Sequence, residues 1–173
     1  KSRVGLTSTD ELALGSPFDY QRQVTIHLPR NSPDPSEQTE AYQRWATRAI
    51  AHYLEKTGGK AFVLFTSNRM LESTARSLTH WLARRNIALF AQTDGMPRTK
   101  MVEAFKSDVN SVIFGADTFW QGVDVPGEAL SNVIIVRLPF SVPSHPLLEA
   151  RLESIRKRGG NPFVEYQIPE AVI

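Results

Sequence analysis

The residues best equipped for chemistry in this 173-residue sequence crowd into one loop. Between Ser111 and Phe140, an apolar run of strand character (SVIFGA) leads into DTFWQGVDVPGEALS, and a second such run (NVIIVRL) follows. The loop holds Asp117, Thr118, Phe119, Trp120, Gln121, Gly122, Asp124 and Gly127. Phe119 and Trp120, at a strand's exit, can form a stacking face for a nucleobase; the same pair can equally pack into the core. Backbone amides entering a helical turn can contact a phosphate, and Gly122 allows close backbone approach or a positive φ. Asp124, ahead of Val125-Pro126, can accept hydrogen bonds from a ribose hydroxyl or a cationic side chain, or simply form the turn before Pro-Gly.

Much other chemistry is excluded. The sequence contains neither GxxxxGK[ST] nor GxGxxG, so no self-sufficient phosphate cradle is present. There is no GxSxG elbow. The four histidines, His27, His52, His80 and His145, lack metal-ligand spacing. With no cysteine, the chain offers no disulfide, thiolate zinc site, cysteine nucleophile or cluster ligand. That composition fits a reducing compartment, and a cytoplasmic location is the expectation. A net charge of +2 is too small to argue nucleic-acid binding by itself, so any basic footprint must be local. No apolar run approaches the roughly 20 residues that span a bilayer, so no membrane partner is expected. No stretch at the start of the sequence reads as the apolar core of a signal peptide.

The elements that must position the loop follow from periodicity. Ala61–Thr66, Ile87–Gln92, Ser111–Ala116 and Asn132–Leu138 are short, nearly continuous apolar runs of strand length. Val24–Leu28 is a further short β-branched run. Helical stripes lie between them: Ala41, Trp45, Ala49, Ile50, Tyr53 and Leu54, stopped by Gly58-Gly59; Leu71, Ala75, Leu78 and Leu82; Met101, Val102 and Phe105 after Pro97; and Leu147, Leu148, Leu152 and Ile155, stopped by Gly159-Gly160. Alternating strands and helices with uninterrupted apolar strands predict an α/β fold, a doubly wound and mainly parallel sheet with helices on both faces. Right-handed crossovers then put every strand's C-terminal end on one edge, where ligands of such sheets bind. The loops to inspect are Thr66–Asn68, Gln92–Gly95, Ala116–Gly127 and Pro139–His145. A further helix start is read at Pro169-Glu170, which predicts that the natural chain runs on beyond Ile173.

GADTFWQGVDVPG resembles motif V of superfamily 2 helicases in the form used by the DinG/XPD-like branch. The resemblance extends in order along nearly the whole chain: LGSPFDYQRQ (Leu14–Gln23) to the entry into that family's second motor domain, AFVLFTSNRML (Ala61–Leu71) to motif IV, and VRLPFSVPSHPLLEARLESI with GGNPFVEYQIPEAVI to the segment that follows. It implies a lead-in over residues 1–15 and a second RecA-like domain over 16–173, truncated before motif VI. It also implies an ATP-dependent DNA helicase as the parent protein, with this portion inactive alone. ATP with Mg2+ would be held mainly by a first RecA-like domain of the same polypeptide, and any iron–sulfur cluster would lie outside this chain. Single-stranded DNA would be the other partner.

By the same resemblance, Thr66, Ser67, Asn68, Thr118 and Phe119 would contact nucleic acid, while Gln121, Gly122 and Asp124 would face the ATP cleft. Ser67 or Asn68 is equally well read as a helix cap. The loop Thr93-Asp94-Gly95 lies where relatives approach DNA, and Arg69, Arg84, Arg85, Arg98 and Lys100 are candidates for a positive groove. Two residues depart from the family's habit: Ala116, where threonine is frequent, and Gln121, where glutamate is common. They favour a second reading, a non-catalytic helicase-like module that binds nucleic acid or protein. A third is an unrelated doubly wound enzyme, such as a nucleotide-sugar transferase domain.

Overall fold

The structure, a computed structural model, describes Leu12 and residues 14–140 and 146–172. Its contacts divide the chain into two units, residues 1–32 and 33–173; the boundary expected at 15/16 falls inside the first. The described part of that unit holds one short helix, α1 (Tyr20–Gln23), capped by Asp19, whose carboxylate accepts from the Arg22 amide at 3.4 Å. The β-branched run Val24–Leu28 forms no strand. It has the side chains for one, but a strand also needs a neighbour to take its backbone hydrogen bonds.

The second unit is built on four parallel strands: β1 (Ala61–Phe65), β2 (Ala88–Ala91), β3 (Ser111–Ala116) and β4 (Asn132–Ile135), in the spatial order β2-β3-β1-β4. The two central strands are β3 and β1, and every residue in both is buried. Register aligns Phe65 with Ala116, Ala91 with Phe114, and Leu64 with Ile135, so the four strands end within two residues of one another.

Each face is filled by the alternate side chains that strand geometry sends to it. On one face Val63, Phe65, Val112 and Phe114 meet Ile50 and Leu54 from α2 (Thr39–Thr57) and Leu71, Leu78 and Leu82 from α3 (Asn68–Ala83). On the other, Phe62, Leu64 and Ile113 meet Met101 and Phe105 from α4 (Arg98–Ser107), together with Phe119 and Ala129 from the long loop. The expected helices on both faces are therefore present.

Along α2 the buried residues are Tyr42, Ala46, Ile50 and Leu54, a stripe rotated from the one read in the sequence. The Tyr42 hydroxyl donates to the Val136 carbonyl just past β4, which turns that ring inward. Trp45 and Tyr53, large and amphipathic, are left half-buried at the rim. Burial raises the Tyr42 pKa. The helix ends at Gly58, in the left-handed region at φ 63°, with its amide bonded to the Leu54 carbonyl.

After β4 come α5 (Pro146–Lys157), one turn of π-helix over Phe163–Gln167, and α6 (Ile168–Val172). Helical backbone thus begins earlier than the start read at Pro169. Asn161 causes this: its side-chain oxygen accepts from the amides of Phe163 and Val164, while Glu165 accepts in return from the Asn161 amide. That reciprocal cap is a helix start in its own right. Residues 141–145, with most of the Pro139–His145 loop, lie outside the described residues.

Candidate functional site

Parallel strands in register bring three exits to one edge of the sheet. At the first, β1 ends at Phe65 and α3 begins at Asn68. Thr66, Ser67 and Asn68 are all exposed there. Ser67 has extended backbone and its hydroxyl accepts from the Met70 amide at 3.5 Å, so it caps α3. The capping reading of Ser67 is thus present in the geometry, and the same exposed turn leaves further helix amides free to meet an anion.

At the second exit, Gln92–Asp94 form a single 3-10 turn closed by Gly95 at φ 81°. Pro97 then leads directly into α4. At the third, β3 passes into a 3-10 turn at Asp117–Phe119, an irregular stretch through Pro126, and a second 3-10 turn at Gly127–Ala129.

This third loop is fixed by side chains rather than by regular structure. The Trp120 indole nitrogen donates to the Phe65 carbonyl at 2.9 Å, tying the loop to the end of β1. The Gln92 side-chain oxygen accepts from the Ala116 amide at 2.7 Å, and its nitrogen makes a long contact, 3.5 Å, to the Thr118 hydroxyl. One guanidinium nitrogen of Arg98 donates to two carbonyls, Gln121 at 2.7 Å and Gly122 at 2.8 Å. The same guanidinium lies 5.6 Å from the centre of the Phe119 ring. Gly122 sits at φ 67°, a left-handed conformation that a side chain would strain.

Of the residues singled out in the sequence, Thr118, Gln121, Gly122 and Asp124 are exposed on this loop, beside Thr66, Ser67 and Asn68 at the neighbouring exit. Among the described residues, the Asp124 carboxylate and the Gln121 amide have no hydrogen-bond or ion-pair partner. Phe119 differs. It is 3% exposed, and its ring packs edge-on against Phe62 with centroids 6.4 Å apart. The core reading of that aromatic holds, and its ring is not a stacking face. Space for it comes from Gly115, where a Cβ would lie 2.5 Å from the Phe119 Cβ. Ala116 is also buried, its methyl in the core cluster under α2 and α3, so a hydroxyl at this position would face the interior rather than a ligand.

The proposed positive groove does not assemble as read. The helix α3 starts at the ligand edge and runs away from it for 16 residues, or about 24 Å. Arg84 and Arg85 therefore lie at the opposite edge, where Arg85 pairs with Glu55 at 2.8 Å and stacks on Trp81 at 4.0 Å. Arg98 is at the correct edge but is spent on loop carbonyls. Arg69 and Lys100 remain there, exposed. Gln92 was read only as the start of a loop at this edge, with no role given to its side chain, and Gly115 was not singled out. A glutamine directly after an apolar strand, and a glycine inside one, are the signals each left.

Residues 50–173, which take in all four strands and α3 through α6, match the family described as the helicase C-terminal domain. The chain belongs to that family. As a helicase C-terminal domain it is similar to the ATP-dependent DNA helicase YoaA of Escherichia coli (strain K12), 38% identical over 172 residues, covering 99% of this chain and 26% of that protein. It is 39% identical over 177 residues to the 3'-5' exonuclease DinG of Bacillus subtilis (strain 168), covering 99% of this chain and 19% of that protein. It is 34% identical to the ATP-dependent DNA helicase DinG of Photobacterium profundum, at 96% and 24% coverage. This helicase C-terminal domain thus spans about a quarter or less of the relatives it matches. The resemblance to DinG-like helicases is sustained, and the doubly wound parallel sheet is the RecA-like α/β fold it implied. Among the described residues, no helix is long and apolar enough to cross a membrane.

Proposed function

We propose that this domain is the second motor domain of a cytoplasmic, ATP-dependent DNA helicase. It contributes half of an ATP cleft and part of a track for single-stranded DNA. One observation carries the reading: a single braced loop leaving the centre of the sheet presents Thr118 at one end and Gln121, Gly122 and Asp124 at the other, next to the exposed turn Thr66–Asn68.

The residues suit this division. Thr66, Ser67, Asn68 and Thr118 are short hydroxyl and amide groups at strand exits, which suit backbone contacts that carry no sequence information. Phe119, 3% exposed as a whole residue, supports the loop from beneath rather than touching the DNA strand. Gln121 and Asp124 offer an exposed amide and carboxylate to a ribose hydroxyl or to a cation on a facing domain, and the exposed Gly122 lets a ligand approach the backbone. The sequence has no phosphate cradle, so the triphosphate and its Mg2+ belong mainly to a first RecA-like domain of the same polypeptide. ATP bound between the two domains closes the cleft and hydrolysis reopens it; the two domains grip the strand in turn.

The test uses the full-length parent protein. Asp124→Asn is expected to raise the KM for ATP or lower kcat with DNA affinity retained, while Thr118→Ala together with Ser67→Ala weakens single-strand binding. The isolated chain is expected to show negligible ATP hydrolysis and at most weak DNA binding that falls steeply with salt. Single-strand affinity indifferent to salt would defeat the backbone-contact reading. Brisk hydrolysis by the isolated chain would defeat the half-site reading.

A further inference from the structure

We propose that Gln92 and Arg98 are positioning residues that fasten the DNA-facing and nucleotide-facing ends of the third loop to one short connecting segment, so that the two ends are coupled through it. The inference rests on the functional division of that loop given above, and goes beyond it by naming what joins the halves.

The two side chains leave the same connection between β2 and α4. Gln92 opens its 3-10 turn, and Arg98 is the first residue of α4. The backbone between them is short: the 3-10 turn, Gly95 at φ 81°, Met96, and Pro97, whose ring fixes φ at −56° at the start of the helix. Gln92 grips the start of the loop through the Ala116 amide at 2.7 Å, with the longer reach to Thr118. Arg98 grips its far end through the carbonyls of Gln121 and Gly122. Charge-assisted donation of this kind is the stronger class of hydrogen bond. Among the described residues the arginine Nε is buried without a partner, a desolvation cost that works against the two bonds its neighbouring nitrogen makes. Nothing in the loop's own backbone replaces these bonds: beyond the 3-10 turns, residues 120–126 carry no regular structure. A shift at Thr118 therefore reaches Gly122 through the Gln92–Arg98 segment as well as along the loop.

The test pairs two variants in the full-length protein with two readouts. Amide hydrogen exchange reads the fastening directly. Gln92→Leu is expected to speed exchange at Ala116 and Thr118, and Arg98→Met at residues 121–124. ATP hydrolysis titrated with single-stranded DNA reads the coupling. Arg98→Met is expected to raise the KM for ATP roughly fivefold or more, and Gln92→Leu to raise the DNA concentration for half-maximal stimulation by a similar factor. Arg98→Lys, which keeps a cationic donor, restores part of the loss. A merely structural role would lower kcat equally in both variants and leave KM and the DNA requirement unmoved; that result overturns the proposal. So does exchange unchanged in both variants. Wild-type protein that hydrolyses ATP without regard to DNA would instead overturn the motor reading, and exchange would still decide whether the two side chains fasten the loop.

Discussion

The two faces of the sheet are built by different means. The face under α2 and α3 is closed by two long helices whose stripes, Ile50 and Leu54 and then Leu71, Leu78 and Leu82, cover Val63, Phe65, Val112 and Phe114. The opposite face has one ten-residue helix, α4, and leans on a loop for the rest of its cover. Phe119, Trp120, Val123, Val125, Ala129 and Leu130 do there what a second helix does on the first face. At β4 even that cover gives out: Ile134 packs into the first face, while Val133 and Ile135 are 54% and 49% exposed on the second. The first face is closed by helices alone, while on the second one loop both packs against the sheet and carries the exposed residues of the proposed site. Loops that bind ligands are commonly drawn from the less stable parts of a fold.

That contrast can be broken most severely at Phe114. It is fully buried and 5.3 Å, ring to ring, from Phe65. Phe114→Ala is expected to cost roughly 3–5 kcal/mol, seen as a lower urea midpoint for the whole domain. Gly115→Ala, one residue along and facing the other way, tests the second face. The new methyl collides with Phe119, and the expected loss is about 1–3 kcal/mol. Its signature is local: exchange quickens across residues 117–124 while amides of α2 and α3 keep their protection. Uniform loss of protection would mean that the two faces are not separable.

Thr74 sharpens the picture in the other direction. Its hydroxyl is buried under the first face and, among the described residues, has no hydrogen-bond partner. Thr74→Val keeps the shape and removes the unsatisfied group, so it is expected to stabilise by up to about 1 kcal/mol, measured as a raised Tm. The smallest effect is expected at Val133. Val133→Thr on the bare side of β4 is expected to move stability by no more than about 0.5 kcal/mol in this chain. A larger loss would show that the second face is covered where it reads as open.

Much of this was legible in the residues. Ala61–Phe65 and Ser111–Ala116 are apolar at nearly every position because both faces of a central strand are covered, and such runs identify themselves. The edge strand β4 was readable too, though its alternating burial shows only in the fold. Val24–Leu28 misled because side-chain type speaks to strand propensity and not to the presence of a neighbouring strand. At the candidate site, the loop could be found from its composition, but the direction of each side chain could not. Phe119 turns inward because Gly115 leaves it room, and Arg98 turns to the loop because two carbonyls converge on it. Both are long-range facts, set by contacts between segments that no periodicity links.

The bond from Trp120 to the last carbonyl of β1 has a practical corollary. It places an indole at the seam where two strand exits meet, half-buried and hydrogen-bonded. The other two tryptophans, Trp45 and Trp81, belong to the helices of the far face. Replacing those two with phenylalanine would leave this chain, studied by itself, with a single indole fluorophore, its emission tuned by whether the seam is shut or sprung.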